Sequence, residues 1–297
     1  MKIEEIFLKK KTTISLEIFP PKKDSTNIDS IFDTIDSLAK LNPDFISVTY
    51  GAGGSTSKDT IRIAKYIEEK HNISAVAHFT CIVHSKGDVD EACLELKKNK
   101  IKNILALRGD MPQDCTKELS SDFKYASELT EYINTNFKDE FCIGGACYPE
   151  VHPEAKSFEE DLANLKKKVD AGAKFLVSQL FFDNEYFYKL VREARKIGIT
   201  VPILAGIMPV TNIKLINRMT KMCGASIPKA LEKVMNKFYE DDDAALELGI
   251  NYATHQIIDL LANDVDGIHI YSMNRPKIAQ AIFDNIPSLL ASVMKGD

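Results

Sequence analysis

The stretch Ser15-Leu-Glu-Ile-Phe-Pro-Pro-Lys22 decides between two fold classes. Ile14, Leu16, Ile18 and Phe19 give it the composition of a short buried strand, and Pro20 and Pro21 end that strand because neither can donate to a sheet ladder. Strand alternation puts Leu16 and Ile18 on one face and Ser15, Glu17 and Phe19 on the other, so a carboxylate stands inside the strand near its carboxyl end. An open doubly wound sheet normally follows its first strand with a glycine-rich dinucleotide fingerprint. Pro-Pro-Lys stands there instead.

Seven further apolar runs continue the pattern: Phe45 to Tyr50, Ala75 to Cys81, Asn103 to Arg108, Phe141 to Tyr148, Phe175 to Phe182, Pro202 to Met208 and Gly267 to Met273. A helical pattern follows each of the eight. Phe158, Leu162, Leu165 and Val169 keep a three-to-four-residue spacing, as do Leu246, Ile250, Ala253, Ile257 and Leu261. Ile203 to Met208 and Phe175 to Phe182 are almost continuously apolar, as strands buried on both faces should be. Eight such units in 297 residues predict an α/β fold of the (β/α)8 TIM-barrel type, one domain spanning 1–297 with no linker. Thr211 to Asp243 reads as two helical pieces broken near Gly224 and Pro228, an elaboration of the seventh unit.

Composition narrows the function. A formal net charge of -5 and a pI near 5.8 give no basic footprint for nucleic acid. Lys97-Lys98 and Lys166-Lys167-Lys168 lie in helical patterns beside acidic residues and read as solvated faces. The six cysteines form no C-x-x-C pair, and Cys142 and Cys147 should point to opposite faces of one strand, which argues against a zinc or iron-sulfur site. No basic, apolar leader opens the chain and no apolar run approaches a membrane span, so reduced thiols and a cytoplasmic location are expected.

In a barrel the site is built where strands end, so the polar residues there matter most. They are Glu17, Thr49 and Tyr50, His78, Arg108 and Asp110, Tyr148 with Glu150 and His152, Gln179, and Tyr271, Asn274 and Arg275. Singly, each reads as a satisfied buried group or a cap. Gathered at one end of seven of the eight strands, they would destabilise the fold unless they faced a ligand cavity. In Asn103-Ile-Leu-Ala-Leu-Arg-Gly-Asp-Met-Pro112, charge follows the strand at once and Gly109 allows close backbone approach; a strand-ending turn with an Arg108–Asp110 surface pair is the plainer alternative. The loop Gly51 to Ser57 matches neither G-x-G-x-x-G nor a P-loop and reads as a helix-capping loop. Tyr148-Pro-Glu-Val-His-Pro-Glu154 is too extended, and too far from further His or Cys, to hold a metal.

Glu17-Ile-Phe-Pro-Pro-Lys22, Val48-Thr-Tyr-Gly-Ala52, Ala77-His-Phe-Thr-Cys81, Leu107-Arg-Gly-Asp110, Tyr148-Pro-Glu-Val-His-Pro-Glu-Ala155, Lys168-Val-Asp-Ala-Gly-Ala173 and Gln179-Leu-Phe-Phe-Asp183 occur in that order. With these motifs the chain closely resembles the catalytic domain of the methylenetetrahydrofolate reductase family from its first strand to Asn274-Arg275. The resemblance implies an FAD-dependent oxidoreductase of one-carbon metabolism, upstream of methionine biosynthesis. Such an enzyme passes hydride to 5,10-methylenetetrahydrofolate and yields 5-methyltetrahydrofolate. It implies that Glu17 is the general acid that helps open the folate's five-membered ring, and that Asp110 lies beside flavin and pterin. Positions matching flavin contacts are Thr49, His78, Leu107, Arg108, Gly109, Asp110, Tyr125, Ala126, Tyr148, His152, Asp161 and Lys168. Those matching folate contacts are Glu17, Gln179 and Arg275, with Met219 where some relatives carry a stacking aromatic. NADH or NADPH is the implied electron donor, or else a partner protein, and a homo-oligomer is expected.

A carboxylic acid that donates a proton near neutrality needs a raised pKa, which burial among apolar neighbours is expected to give Glu17. Two other functions fit a barrel with these polar ends: a lyase or aldolase without flavin, and a folate- or flavin-binding subunit of a larger complex. Flavin absorbance of the purified protein and oxidation of methyltetrahydrofolate by an artificial acceptor separate the three.

Overall fold

Eight parallel strands close into a barrel in chain order: β1 (Thr13–Ile18), β2 (Phe45–Val48), β3 (Ser74–Thr80), β4 (Asn103–Leu107), β5 (Cys142–Cys147), β6 (Phe175–Ser178), β7 (Ile203–Ile207) and β8 (Gly267–Tyr271). β8 pairs back onto β1 with Ser15 opposite His269 and Glu17 opposite Tyr271. The computed structural model describes residues 1–21, 29–50, 57–109, 122–210 and 212–294. The expected barrel and all eight expected strands are present. β6 stops four residues short of its apolar run because Phe181 and Phe182 are buried by helices rather than by the sheet, Phe181 stacking on Phe187 with ring centroids 5.3 Å apart.

Around the barrel lie α2 (Asp29–Ala39), α3 (Ser57–His71), α4 (Lys86–Lys98), α5 (Ala126–Asn136), α6 (Phe158–Asp170) and α7 (Asn184–Lys196), then α8 (Ile213–Cys223), α9 (Lys229–Lys237), α10 (Asp242–Ala262), α11 (Pro276–Asn285) and α12 (Pro287–Met294). α4, α6, α7, α8 and α10 start on Ser85, Ser157, Asp183, Asn212 and Asp241, whose side chains each accept a backbone N–H of the first turn. α8 and α9 are the two pieces expected between the seventh and eighth strands, and the left-handed Gly224 ends the first of them. Among the described residues no helix is long and apolar enough to cross a membrane.

Alternation sorts the strand residues into two cores. Ile14, Leu16, Ile18, Ile46, Val48, Ile104, Ile203 and Ile268 face outward and pack with the helices. Phe45, Val76, Leu105, Cys142, Phe175, Val177 and Leu204 fill the barrel interior. Cys142 and Cys147 fall in different cores, and no disulfide joins the described cysteines. Gly144 makes room for the interior: a Cβ there would lie 2.4 Å from the Phe175 ring.

One element was not legible in the sequence. A five-residue helix, α1 (Ile3–Phe7), closes the amino-terminal end of the barrel with Ile3 and Ile6 against the interior core. It is too short to show a period. What holds it is Asn103, fully buried, whose Oδ1 accepts from Ile3 N–H at 2.8 Å while its Nδ2 donates to Met1 O and Ala75 O at 3.1 and 3.0 Å. Asn103→Ala strands these buried backbone groups and is expected to cost about 3 kcal/mol, read as a lower urea midpoint at unchanged slope.

Candidate active site

Above the apolar floor the barrel interior turns polar. Glu17, next to last in β1, points inward with its side chain 18% exposed. Three protein groups meet one of its oxygens: Ser47 Oγ, His78 Nε2 and His269 Nε2 each lie 3.5 Å from Oε2. The other oxygen, Oε1, bonds to no described residue. Ser272 and Asn274 fix the strand itself. Ser272 Oγ donates to Glu17 O at 2.6 Å, while Asn274 accepts from Phe19 N–H and donates to Phe19 O at 3.0 and 2.8 Å. The chain can make that clamp because Met273 and Asn274 both adopt left-handed backbone on leaving β8.

The electrostatics correct one expectation. Burial does push the Glu17 carboxyl up, but the hydrogen bond from His269, the charges of His78 and His269 and the Ser47 hydroxyl outweigh it, so in the ligand-free barrel Glu17 is held below the usual carboxylate range. Burial also takes His78 down from 6.5 to about 4. Near neutrality His78 is therefore uncharged and its charge does not act on Glu17, which leaves the hydrogen bonds from His269 and Ser47 to favour the carboxylate.

A buried base with a depressed folded pKa binds fewer protons than the unfolded chain between 6.5 and about 4, so stability falls as pH drops through that window. Glu17, also depressed, loses its own contribution as pH falls below the ordinary carboxylate value, in the same direction. His78→Gln is expected to flatten the acid limb of stability against pH by up to ~3 kcal/mol, measured by urea unfolding across the window.

A second arc of the rim carries most of the remaining residues singled out from sequence. Leu107 ends β4, and Arg108 follows it to pair with Glu154 beyond β5. Asp110 lies outside the described residues. Gly109 has φ +85, and a Cβ there would be 2.9 Å from Thr80 Cβ. Tyr148 packs edge-on to His152 with ring centroids 4.6 Å apart, His152 Nδ1 accepts from Glu154 N–H at 3.1 Å, and Asp161 accepts from His152 N–H at 2.9 Å. Lys168 reaches from α6 to donate to Ala146 O at the end of β5, and burial depresses its ammonium. Thr49 follows β2 on the inward register. Tyr125 and Ala126 start α5, with Tyr125 about half exposed.

Opposite this arc, Gln179 follows β6 with its Oε1 accepting from Leu180 N–H at 2.8 Å. Tyr271 donates to Ser178 O at 2.6 Å. Met219 on α8 packs in an apolar lobe with Met208, Leu231, Met235, Tyr271 and Met273. Arg275 caps α11, exposed, and forms no ion pair with a described residue. Tyr50, expected at the rim from sequence, instead packs against the outer core and bonds His84 Nε2 at 3.0 Å. Glu17, Ser47, His78 and His269 are thus brought into contact, whereas Tyr125 and Arg275 touch none of them.

Sequence reading missed Ser47, His269 and Glu154. His269 was recoverable, since it stands two residues before Tyr271 on the same face of a strand. Ser47, on β2 two residues before Thr49, was recoverable in the same way.

A closed parallel barrel whose carboxyl-end mouth holds a buried acid among imidazoles, with cationic and aromatic side chains on the rim, defines an enzyme-type (β/α)8 barrel. A family model described as Methylenetetrahydrofolate reductase matches residues 2–287. The chain belongs to that family. It is 36% identical over 296 residues to a "Probable methylenetetrahydrofolate reductase (NADH)" of Oryza sativa subsp. japonica, covering 96% of this chain and 50% of the relative. It is 35% identical over 269 residues to the 5,10-methylenetetrahydrofolate reductase of Escherichia coli (strain K12), covering 91% and 88%. The chain therefore spans about half the length of the plant relative and most of the bacterial one. Among solved structures, an uncharacterized Clostridium thermocellum protein that binds two copies of 5-methyl-5,6,7,8-tetrahydrofolic acid superposes with TM-score 0.67 at 15% identity, over 97% of this chain and 98% of that one. At that identity the likeness is one of fold.

The family implies FAD, and the rim residues fit it. His78 Nε2 and Arg108 Nε are buried without a hydrogen-bond partner among the described residues, and buried polar atoms of this kind call for an acceptor. Arg108, joined through Glu154 to the turn that carries His152, suits a group that combines a pyrophosphate with flat rings.

Proposed function

We propose that the chain reduces 5,10-methylenetetrahydrofolate to 5-methyltetrahydrofolate, with FAD as hydride carrier and Glu17 as proton donor. The observation that carries this is the asymmetry of Glu17: Oε2 accepts from Ser47 and lies 3.5 Å from both imidazoles, while Oε1 bonds to no described residue and is left for a ligand. Family membership supplies the substrate class. FAD, when bound, supplies a two-electron carrier able to give hydride to the folate carbon.

The chain's own residues do the rest. Arg108, His152 and Lys168, with Tyr125, Ala126 and Asp161, would hold the phosphate and nucleoside side. Thr49, His78, Leu107, Gly109, Asp110 and Tyr148 would hold the ring side. Gln179 and Arg275 would orient the folate, with Met219 supplying apolar contact from α8. A ligand held by these residues would exclude water from a carboxyl now partly exposed. Loss of that hydration favours the protonated form and moves the acid toward the working range that a general acid needs.

NADH is the donor we favour, because plant relatives carry that name; NADPH or a partner protein would serve the same step. The test is anaerobic. Protein reconstituted with FAD is mixed with NADH, with NADPH and with neither, then with methylenetetrahydrofolate. Flavin bleaching by a nicotinamide and recovery of colour with formation of methyltetrahydrofolate are the expected results. A chain that takes up no FAD, or whose reduced flavin is not reoxidised by the folate, overturns the reading.

A further inference from the structure

We propose that His269 is the positioning residue of Glu17: sealed beneath the carboxyl and held in one tautomer by Ser15, it directs Nε2–H at Oε2 and thereby reserves Oε1 for the proton that the reaction uses. The inference rests on Glu17 being the proton donor. His269 is 0% exposed, so it meets no ligand and acts only through its neighbours.

The tautomer follows from two contacts. Ser15 Oγ lies 2.8 Å from His269 Nδ1 and 3.2 Å from Ile268 O. If the hydroxyl donated to Ile268 O, Nδ1 would carry the ring proton and Nε2 would turn a lone pair toward an ionised carboxylate. If it donates to Nδ1, the proton is on Nε2 and faces Glu17 Oε2 at 3.5 Å, shared with Ser47 Oγ at 3.4 Å. The second arrangement uses the shorter Ser15 contact and places a donor against the negative charge, so it wins. Phe45, stacked on the ring with centroids 6.1 Å apart, and Tyr271, edge-on at 5.4 Å, keep the imidazole from turning.

The other described groups facing Glu17 are Ser47 from β2, His78 from β3 and Tyr271 from β8. Tyr271 spends its hydroxyl proton on Ser178 O. His78 lacks a fixed hydrogen bond at Nε2. His269 alone joins Glu17 to a second anchor on β1, two residues earlier in the same strand.

The experiment titrates the Glu17 carboxyl by carbon-13 NMR in the full chain as purified, with the resonance identified by its loss in Glu17→Gln. His269→Phe keeps the ring volume and removes the donor; it is expected to lower the acid dissociation constant of Glu17 about tenfold, because burial is then less opposed. His269→Gln, which returns an N–H near the Nε2 position, should restore it to within about twofold. Ser15→Ala should move it in the same direction as His269→Phe, by less. An unchanged titration in a folded His269→Phe overturns the proposal, as does an unchanged one in Ser15→Ala if His269→Phe does not fold. Full folate turnover by Glu17→Gln would instead remove the proton-donor reading and leave this titration as it stands.

Discussion

Glu17→Gln is expected to bind FAD and to be reduced by its donor at the wild-type rate, yet to reduce methylenetetrahydrofolate ~10²- to 10⁴-fold more slowly. The substitution is close to isosteric, and its carbonyl oxygen can take the place of Oε2 before Ser47 and His269. The barrel mouth should therefore keep its shape. What is lost is the proton at the second position, which an amide cannot release to a leaving nitrogen near neutrality. Donor oxidation needs no acid from the protein, so the two half-reactions, followed separately by stopped-flow flavin absorbance, should split. Folate reduction at full rate would rule Glu17 out as the proton donor.

Gly249→Ala is expected to destabilise the protein by about 2 kcal/mol, the overpacking cost less the propensity gain. Two effects oppose each other at this position. Glycine in a helix interior is worth up to about 1 kcal/mol less than alanine, which by itself predicts a more stable variant. Packing says the reverse. Gly249 lies in α10 against the chain leaving β7, and a Cβ there would sit 1.7 Å from Val210 O and 2.5 Å from Val210 C. Those are backbone atoms, so no rotamer change relieves the overlap and the 21-residue helix must lift off the barrel. Overpacking of this sort costs about 1–3 kcal/mol, occasionally more, and exceeds the propensity gain. Thermal unfolding of the variant gives the sign directly. A raised midpoint would mean that α10 is not seated as described.

The prolines after the first strand decided for the barrel, and periodicity showed its eight strand–helix units, because each strand had to bury at least one apolar face and each helix an apolar stripe. That demand is written into Ile203 to Met208 and into the stripe of α6. Glu17 stood out for the opposite reason, since a carboxylate between Leu16 and Ile18 contradicts its surroundings. The strand ends likewise announced His78, Arg108 and Gln179.

What tertiary structure decided is pairing. Nothing local joins Ser15 to His269 across 254 positions, or Arg108 to Glu154, or the five-residue α1 to Asn103. Barrel closure between β1 and β8 creates the first of these contacts, and with it the side of Glu17 that is held and the side that is open. The proton affinity of that carboxyl was beyond sequence for the same reason. Burial can be read from neighbours in the chain, whereas the donors that offset it come from strands that meet only when the sheet closes.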